Sequence, residues 1–194
     1  MADLAYFLGD FNRDMITRET VVIGGSYPGA LSGWFKSRYP HLAVAAWASS
    51  GVVQAIPDMW EFDERIFVAT QKSGDFCPTM IKESNMFATE QALLRMAGLP
   101  NLIDSVVADT DAASIRSDDF MFYYADIFVT SVQYGNRTTL CNMLEPLQGQ
   151  GQAAIFDAMI QHGTDQGVNP AGYDTDLLAS TTINVNDAGR QWTY

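Results

Sequence analysis

The sequence predicts an α/β fold in which a strand–helix–strand segment precedes a long, all-helical region. A run of β-branched residues, Val21–Ile23, enters a glycine-rich turn and then a helix-like stretch. A second, nearly unbroken apolar run follows that stretch at residues 41–50. From residue 59 onwards, apolar side chains recur at helical spacing and no further strand is evident. These three observations indicate part of a parallel sheet followed by a helical module.

The turn after the first strand reads Gly24-Gly25-Ser26-Tyr27-Pro28. It has the form of a nucleophile elbow, the strand-to-helix turn that raises a catalytic serine above a parallel sheet. Gly24 and Gly25 lack a Cβ, so the turn can be tight and neighbouring backbone can come close. The N–H of Tyr27 is the predicted oxyanion donor. Pro28 replaces the glycine of G-x-S-x-G and suits the start of a helix. An ordinary glycine-rich turn is the alternative, but the flanking strand and helix favour the elbow.

The elements around this turn follow from apolar spacing. Leu4, Phe7, Leu8 and Phe11 predict a short helix over residues 1–12. The strand at residues 21–23 has no alternation and predicts a fully buried strand. Residues 30–39 form the next helix, and residues 41–50 form the second strand. The resulting βαβ unit should be parallel with a right-handed crossover. Two strands do not complete a sheet, because both edges stay open.

The helical region is predicted to contain six helices, at residues 60–71, 78–96, 102–108, 117–134, 137–147 and 152–162. We therefore predict three parts: a partial α/β core at 1–56, a helical domain at 57–165, and a turn-rich segment at 166–194 that ends the helical domain and returns towards the core. Aromatic side chains are concentrated in the fourth helix, where core packing is favoured over a pocket. Asp126 lies among them and must be paired or face a wet cavity, since a lone buried charge is costly.

Charge and hydropathy exclude several function classes. The chain has 11 basic and 23 acidic residues, a formal charge of -12, which disfavours nucleic acid and anionic membranes as partners. The most apolar stretch, residues 120–134, is too short to span a membrane and contains Asp126. No basic segment followed by a long apolar run appears at the start, so no secretory signal is predicted within these residues.

Cysteine and histidine are scarce. Cys77 and Cys141 allow one disulfide or two free thiols, and spacing alone does not decide between them. His41 and His162 lie far apart in sequence and without a cysteine nearby, so no metal site is predicted. The proposed chemistry requires no cofactor.

Several segments along the chain form a recognisable set. They are Ala2-Asp3-Leu4-Ala5-Tyr6-Phe7, Gly24-Gly25-Ser26-Tyr27, Trp34-Phe35-Lys36-Ser37-Arg38-Tyr39-Pro40-His41, residues 46–50, Cys77, residues 120–134, Cys141 and Arg190-Gln191-Trp192-Thr193-Tyr194. Together they resemble the S28 serine peptidases, the group of lysosomal Pro-X carboxypeptidase, dipeptidyl-peptidase II and thymus-specific serine protease. The resemblance covers nearly the whole chain and is strongest around the elbow.

The resemblance implies an α/β-hydrolase core interrupted by a helical cap, with a Ser-Asp-His triad that cleaves peptides next to proline. Ser26 then corresponds to the nucleophile and Tyr27 to an oxyanion donor. It also implies a Cys77–Cys141 disulfide within the cap, which indicates an oxidising route to a lysosome, a vacuole or the cell exterior. Asn136-Arg137-Thr138 is an N-glycosylation sequon that fits this route.

The same resemblance implies substrate contacts elsewhere. Ala30 lies one turn after the serine, where a small side chain leaves room for the bound acyl group. Trp192 and Tyr194 match a segment near the family's active site. A proline-containing peptide is the predicted partner, and a homodimer stays open, as does the choice between carboxyl- and amino-terminal trimming.

The family's triad Asp and His, and its second oxyanion donor, have no match in these residues. We therefore expect an internal portion of a longer enzyme, inactive by itself because serine needs a positioned base. His41 reads as a strand-start residue and His162 as a helix-end residue favoured by the dipole, so neither is a strong base candidate. An esterase or lipase on the same fold is one alternative. A non-catalytic binding product that keeps the cap is another.

Overall fold

The computed structural model describes residues 1–11, 19–54, 56–108 and 110–179. The chain divides into two compact units, Met1–Met59 and Trp60–Tyr194. We call the first the sheet unit and the second the helical unit. Their assignment to a hydrolase core and a cap stays a prediction.

In its described residues, the sheet unit has two helices and two strands: α1 (Ala2–Phe11), β1 (Val21–Gly25), α2 (Tyr27–Arg38) and β2 (Ala45–Ser49). β1 and β2 pair in parallel, with Val21 opposite Ala45 and Gly25 opposite Ser49. The predicted parallel βαβ arrangement is therefore confirmed. α2 begins one residue before Pro28, and β2 begins later than predicted because Pro40–Leu42 forms a turn.

The expectation of a fully buried first strand is wrong. Burial alternates along β1, with Val22 covered while Val21 and Ile23 are exposed. Trp47, the register partner of Ile23, is also 65% exposed. Successive side chains of a strand point to opposite faces, so only one face of this sheet is covered within the unit. The covered face contributes to a small core of Leu8, Val22, Phe35 and Ala43.

Polar contacts fix the α2–β2 connection. The ammonium of Lys36 donates to the carbonyl of Pro40 at 3.0 Å and to that of Ala43 at 2.6 Å. One turn earlier in α2, the buried Ser32 hydroxyl lies 2.8 Å from the carbonyl of Gly29 and 3.1 Å from that of Trp47 on β2. These contacts hold α2 to the following loop and strand.

The helical unit contains all six predicted helices, with ends shifted by a few residues. Its α-helices are α3 (Trp60–Gln71), α4 (Phe76–Met96), α5 (Ile103–Val107), α6 (Ser117–Gln133), α7 (Arg137–Leu144), α8 (Gln152–Asp165) and α9 (Thr175–Leu178). The described part of this unit also has two 3-10 turns, Glu145–Leu147 and Pro170–Tyr173.

α6 is the centre of this unit and packs against α3, α4, α7 and α8. The buried rings of Phe120, Tyr124 and Phe156 stack, with 5.1 Å between the centroids of Tyr124 and Phe156. α6 and α8 approach closely at Gly163, because a Cβ there would lie 2.8 Å from the side chain of Ile127. Core packing, rather than a pocket, accounts for most of the aromatic side chains of α6.

A disulfide joins Cys77 on α4 to Cys141 on α7, with 5.4 Å between the Cα atoms. Both cysteines are fully buried. The pairing implied by the family resemblance is thus confirmed, and the alternative of two free thiols is removed.

Within the part of the chain that the structure describes, no helix combines the length and apolar character needed to cross a membrane. The same residues contain no group of three side chains suited to hold a metal ion.

Candidate active site

Ser26 lies at the tip of the turn between β1 and α2, with φ 59° and ψ -128°. A positive φ is uncommon for a residue with a Cβ and costs on the order of 1–3 kcal/mol. Two backbone hydrogen bonds hold it: Ser26 N–H donates to Ser49 at 2.9 Å, and its carbonyl accepts from Ala30 at 3.2 Å. The residue is exposed. The sequence therefore folds into a sharp strand-to-helix turn that presents a serine to solvent.

Close backbone contacts surround Gly24 and Gly29. A Cβ on Gly24 would lie 2.0 Å from the carbonyl oxygen of Pro28, and one on Gly29 would lie 2.5 Å from that of Ser49. Open space surrounds Gly25. The close approach expected at both elbow glycines thus occurs at Gly24 but not at Gly25. Gly29, which the sequence analysis did not single out, is the second glycine that the turn requires.

The backbone N–H of Tyr27 is suited to the predicted oxyanion role. First-turn amides of a helix have no intrahelical acceptor, and the dipole of α2 favours negative charge at this end. The N–H of Ser26 is already used by Ser49. The Tyr27 side chain is 58% exposed. Its assignment as oxyanion donor stays a prediction.

The two histidines have different surroundings, each within its own unit. His41 is the histidine of the sheet unit's described residues, and it lies in the turn that follows the C-terminal end of α2. A helix of 12 residues separates this turn from Ser26, about 18 Å along the helix axis. His41 is therefore a surface residue rather than a base.

His162 is buried inside the helical unit, and its Nε2 lies 2.7 Å from the hydroxyl of Ser131. That hydroxyl donates its proton to the carbonyl of Ile127 at 2.8 Å. The histidine Nε2–H therefore donates to Ser131. Burial lowers the pKa of His162, partly opposed by Asp165. This is a polar contact between α6 and α8, and sequence spacing gave no signal for it.

The remaining predicted site residues fall in different surroundings. Ala30 is fully buried in the first turns of α2, where Gly51 lies against its backbone. Trp192 and Tyr194 lie outside the described residues. Asn136 precedes α7, is partly exposed, and donates through its Nδ2 to the Oε1 of Gln166 at 2.6 Å.

Asp126 has a hydrogen-bond partner, which is the first of the two alternatives predicted for it: a partner or a wet cavity. Its Oδ2 accepts a hydrogen bond from the hydroxyl of Tyr173, which ties the Pro170–Tyr173 turn to α6. Burial of the Tyr173 hydroxyl is the main cause that raises its pKa, and the hydrogen bond with Asp126 raises it further. The neighbouring Phe122 is 62% exposed, unlike the buried Phe120 and Tyr123.

The family description "Serine carboxypeptidase S28" matches residues 1–193. The chain belongs to this family. The S28 family consists of serine peptidases with an α/β-hydrolase-like fold, which agrees with the parallel strand pair and the serine turn.

Curated relatives are similar at moderate identity. The "Probable serine protease EDA2" of Arabidopsis thaliana is 30% identical over 175 residues, which are 88% of this chain and 34% of that protein. The mouse "Lysosomal Pro-X carboxypeptidase" is 28% identical over 130 residues, 66% of this chain and 26% of that protein. The human protein of the same name is 32% identical over 96 residues, 43% of this chain and 18% of that protein. No solved structure matches the chain significantly. The chain thus spans about a third or less of the length of these relatives.

Proposed function

We propose that this S28 chain carries the nucleophile of a serine exopeptidase that cleaves peptides next to proline. The observation that supports it best is the geometry of Ser26, an exposed serine with positive φ at a strand-to-helix turn. Such outliers persist only where the surroundings fix them, and they cluster at active sites.

In the proposed reaction, the Oγ of Ser26 attacks the scissile carbonyl carbon while a base removes the hydroxyl proton. The C–N bond then breaks, the leaving amine takes that proton, and an ester to Ser26 remains. Water then attacks the carbonyl carbon of this ester while the base takes a proton from the water. The C–O bond to Ser26 breaks, the Oγ of Ser26 takes that proton, and the free acid leaves. The N–H of Tyr27 stabilises the oxyanion of each tetrahedral intermediate.

In this proposal, the base and its orienting acid belong to other parts of the S28 fold. Those parts correspond to regions of the relatives that this chain does not cover. Two environments support this: His41 lies beyond the far end of α2, and His162 is buried with its Nε2 against the hydroxyl of Ser131. The exposed apolar side chains of Val21, Ile23 and Trp47 support it too, because further strands and helices of a hydrolase core would cover such a face. The isolated 194-residue chain is then inactive.

The proposed specificity for proline is supported by the names of the relatives. The mouse and human proteins are named as Pro-X carboxypeptidases, which favours trimming at the carboxyl end. The helical unit is the proposed cap. The disulfide supports passage through an oxidising compartment, and the relatives' names favour a lysosome. The sequon at Asn136 is the proposed glycan site on this route.

Turnover by the product of the complete coding sequence tests the proposal. We expect hydrolysis of a peptide ending in Pro-X, little hydrolysis of p-nitrophenyl esters, and loss of at least about a thousandfold in Ser26→Ala. Preference for the ester would support an esterase instead. A protein that neither turns over substrate nor labels at Ser26 with a fluorophosphonate would support the non-catalytic alternative.

The glycan is tested separately on protein from a eukaryotic secretory host. Peptide-N-glycosidase should shift the mass of the wild type and of Thr138→Ser, which keeps the sequon. It should leave Thr138→Ala unchanged. An unshifted wild type would contradict the assignment of Asn136.

A further inference from the structure

Ser50 shares with Ser26 a positive backbone φ. Among the described residues, these two are the non-glycine residues with positive φ, at 48° for Ser50 and 59° for Ser26. Glycine or asparagine is the usual residue at such a position, since a Cβ there is strained. A strained serine at both positions is an observation that the nucleophile alone does not explain.

The two serines occupy equivalent positions in the sheet. β1 and β2 are parallel, with Gly25 opposite Ser49, so Ser26 and Ser50 are the first residues beyond the paired ends. Adjacent strands lie about 4.8 Å apart. Open α/β sheets bind their ligands outside the carboxyl ends of their strands. Ser50 therefore lies at the edge of the sheet where a substrate would reach Ser26.

Contacts on either side fix Ser50. The carbonyl of Ser49 accepts the N–H of Ser26 at 2.9 Å. On the other side Gly51 lies against the first turn of α2, where a Cβ would be 3.1 Å from the carbonyl carbon of Gly29. The chain must turn sharply between these two contacts. The turn explains the positive φ, but glycine would satisfy it without strain, so the hydroxyl needs a separate explanation.

The Ser50 side chain is exposed, and its hydroxyl makes no hydrogen bond within the described residues. A hydroxyl can donate one hydrogen bond and accept two. A peptide that places its scissile carbonyl on Ser26 brings its own backbone N–H and C=O groups to the same edge.

We propose that Ser50 is a substrate-binding residue whose Oγ hydrogen-bonds to the backbone of the peptide that acylates Ser26. This inference rests on the proposed peptidase function. Ser50 takes no part in bond making or breaking, so its contribution concerns peptides and not small acylating reagents.

Three substitutions at Ser50 separate the hydroxyl from the backbone. Ser50→Ala removes the hydroxyl and keeps the strained φ. Ser50→Gly removes the hydroxyl and relieves the strain. Ser50→Asn keeps a hydrogen-bonding group on a residue that tolerates positive φ. Ser37→Ala, an exposed serine near the other end of α2, is the matched control.

The experiment uses the product of the complete coding sequence and measures kcat/KM for a Pro-X peptide beside the rate of Ser26 labelling by a fluorophosphonate. We expect Ser50→Ala and Ser50→Gly to lower kcat/KM about tenfold, the scale of one hydrogen bond, with labelling within about twofold of wild type. Ser50→Asn should recover part of the loss, and Ser37→Ala should match wild type.

Equal kcat/KM in wild type, Ser50→Ala and Ser50→Gly would overturn this inference while leaving the proposed function intact. A loss in Ser50→Ala that Ser50→Gly restores would also overturn it, because backbone shape alone would then explain the effect. Absence of any Ser26-dependent turnover in wild type would instead overturn the proposed function, and this inference with it.

Discussion

The sheet unit and the helical unit are stabilised in different ways. The described core of the sheet unit consists of four buried apolar side chains, whereas the helical unit buries apolar side chains from α3 to α8 around a disulfide. Yet the strained serines and the glycines that pack directly against backbone, Gly24 and Gly29, belong to the sheet unit. The difference shows that a well-defined turn does not need a large local core. Close backbone contacts define it instead.

The largest stability effect should come from the helical unit's disulfide. Cys77→Ala/Cys141→Ala removes a link across 64 residues, worth about 4 kcal/mol in the chain-entropy model. We expect a lower denaturation midpoint for the helical signal in far-ultraviolet circular dichroism. Hydrogen exchange in β1 and β2 should change little.

Reduced wild-type protein is the control for cavities left by alanine. It should unfold near the midpoint of the double variant. If reduction leaves the midpoint unchanged, the helical core alone stabilises the unit and the disulfide contributes nothing measurable.

The two elbow glycines provide a sharper test of backbone contact. In Gly24→Ala the new Cβ would overlap the carbonyl oxygen of Pro28, so the turn must shift. Displacement of Ser26 by about 1 Å should lower kcat/KM on the order of a hundredfold in the full-length enzyme.

Gly25→Ala is the matched variant, because open space surrounds that position. It should retain activity within a few-fold. Equal losses in the two variants would show that strand propensity, rather than the contact with Pro28, controls the turn.

Lys36→Met should have a smaller effect, about 1 kcal/mol for the loss of its hydrogen bonds to the carbonyls of Pro40 and Ala43. Arg38→Met, at an exposed position in the same turn of α2, serves as control. Hydrogen exchange of β2 reports the change. Equal hydrogen exchange in the two variants would show that the hydrogen bonds of Lys36 do not stabilise this unit.

A pH effect of modest size should appear in the helical unit. Burial holds the pKa of His162 below its ordinary value of 6.5, so the folded protein binds fewer protons than the unfolded chain. The stability is present in full above pH 6.5 and falls as the pH is lowered towards the folded pKa.

Urea midpoints at pH 7.5 and 5.5 measure this effect. The fall should be smaller in His162→Gln than in wild type. A wild-type midpoint that rises on acidification would contradict the assignment.

Sequence patterns predicted the elements well because each depends on local spacing. The six helices follow from apolar periodicity, and the turn at Ser26 follows from glycine, serine and proline after β-branched residues. Burial of β1 was mispredicted because the β-branched run of residues 21–23 reads the same whether one or both faces are covered. The roles of Gly29 and Ser50 depend on contacts between β2 and α2, which no local pattern encodes. The Ser131–His162 and Asp126–Tyr173 contacts join distant segments and were invisible for the same reason.

The disulfide also determines what a protease would produce. Exposed residues Ala113 and Ser114 connect α5 to α6, inside the loop that Cys77 and Cys141 close. A cut at this point would separate the polypeptide into two chains without releasing either. The nicked protein would migrate as one species on a non-reducing gel and as two after reduction, so a two-chain form could pass unnoticed until a thiol is added.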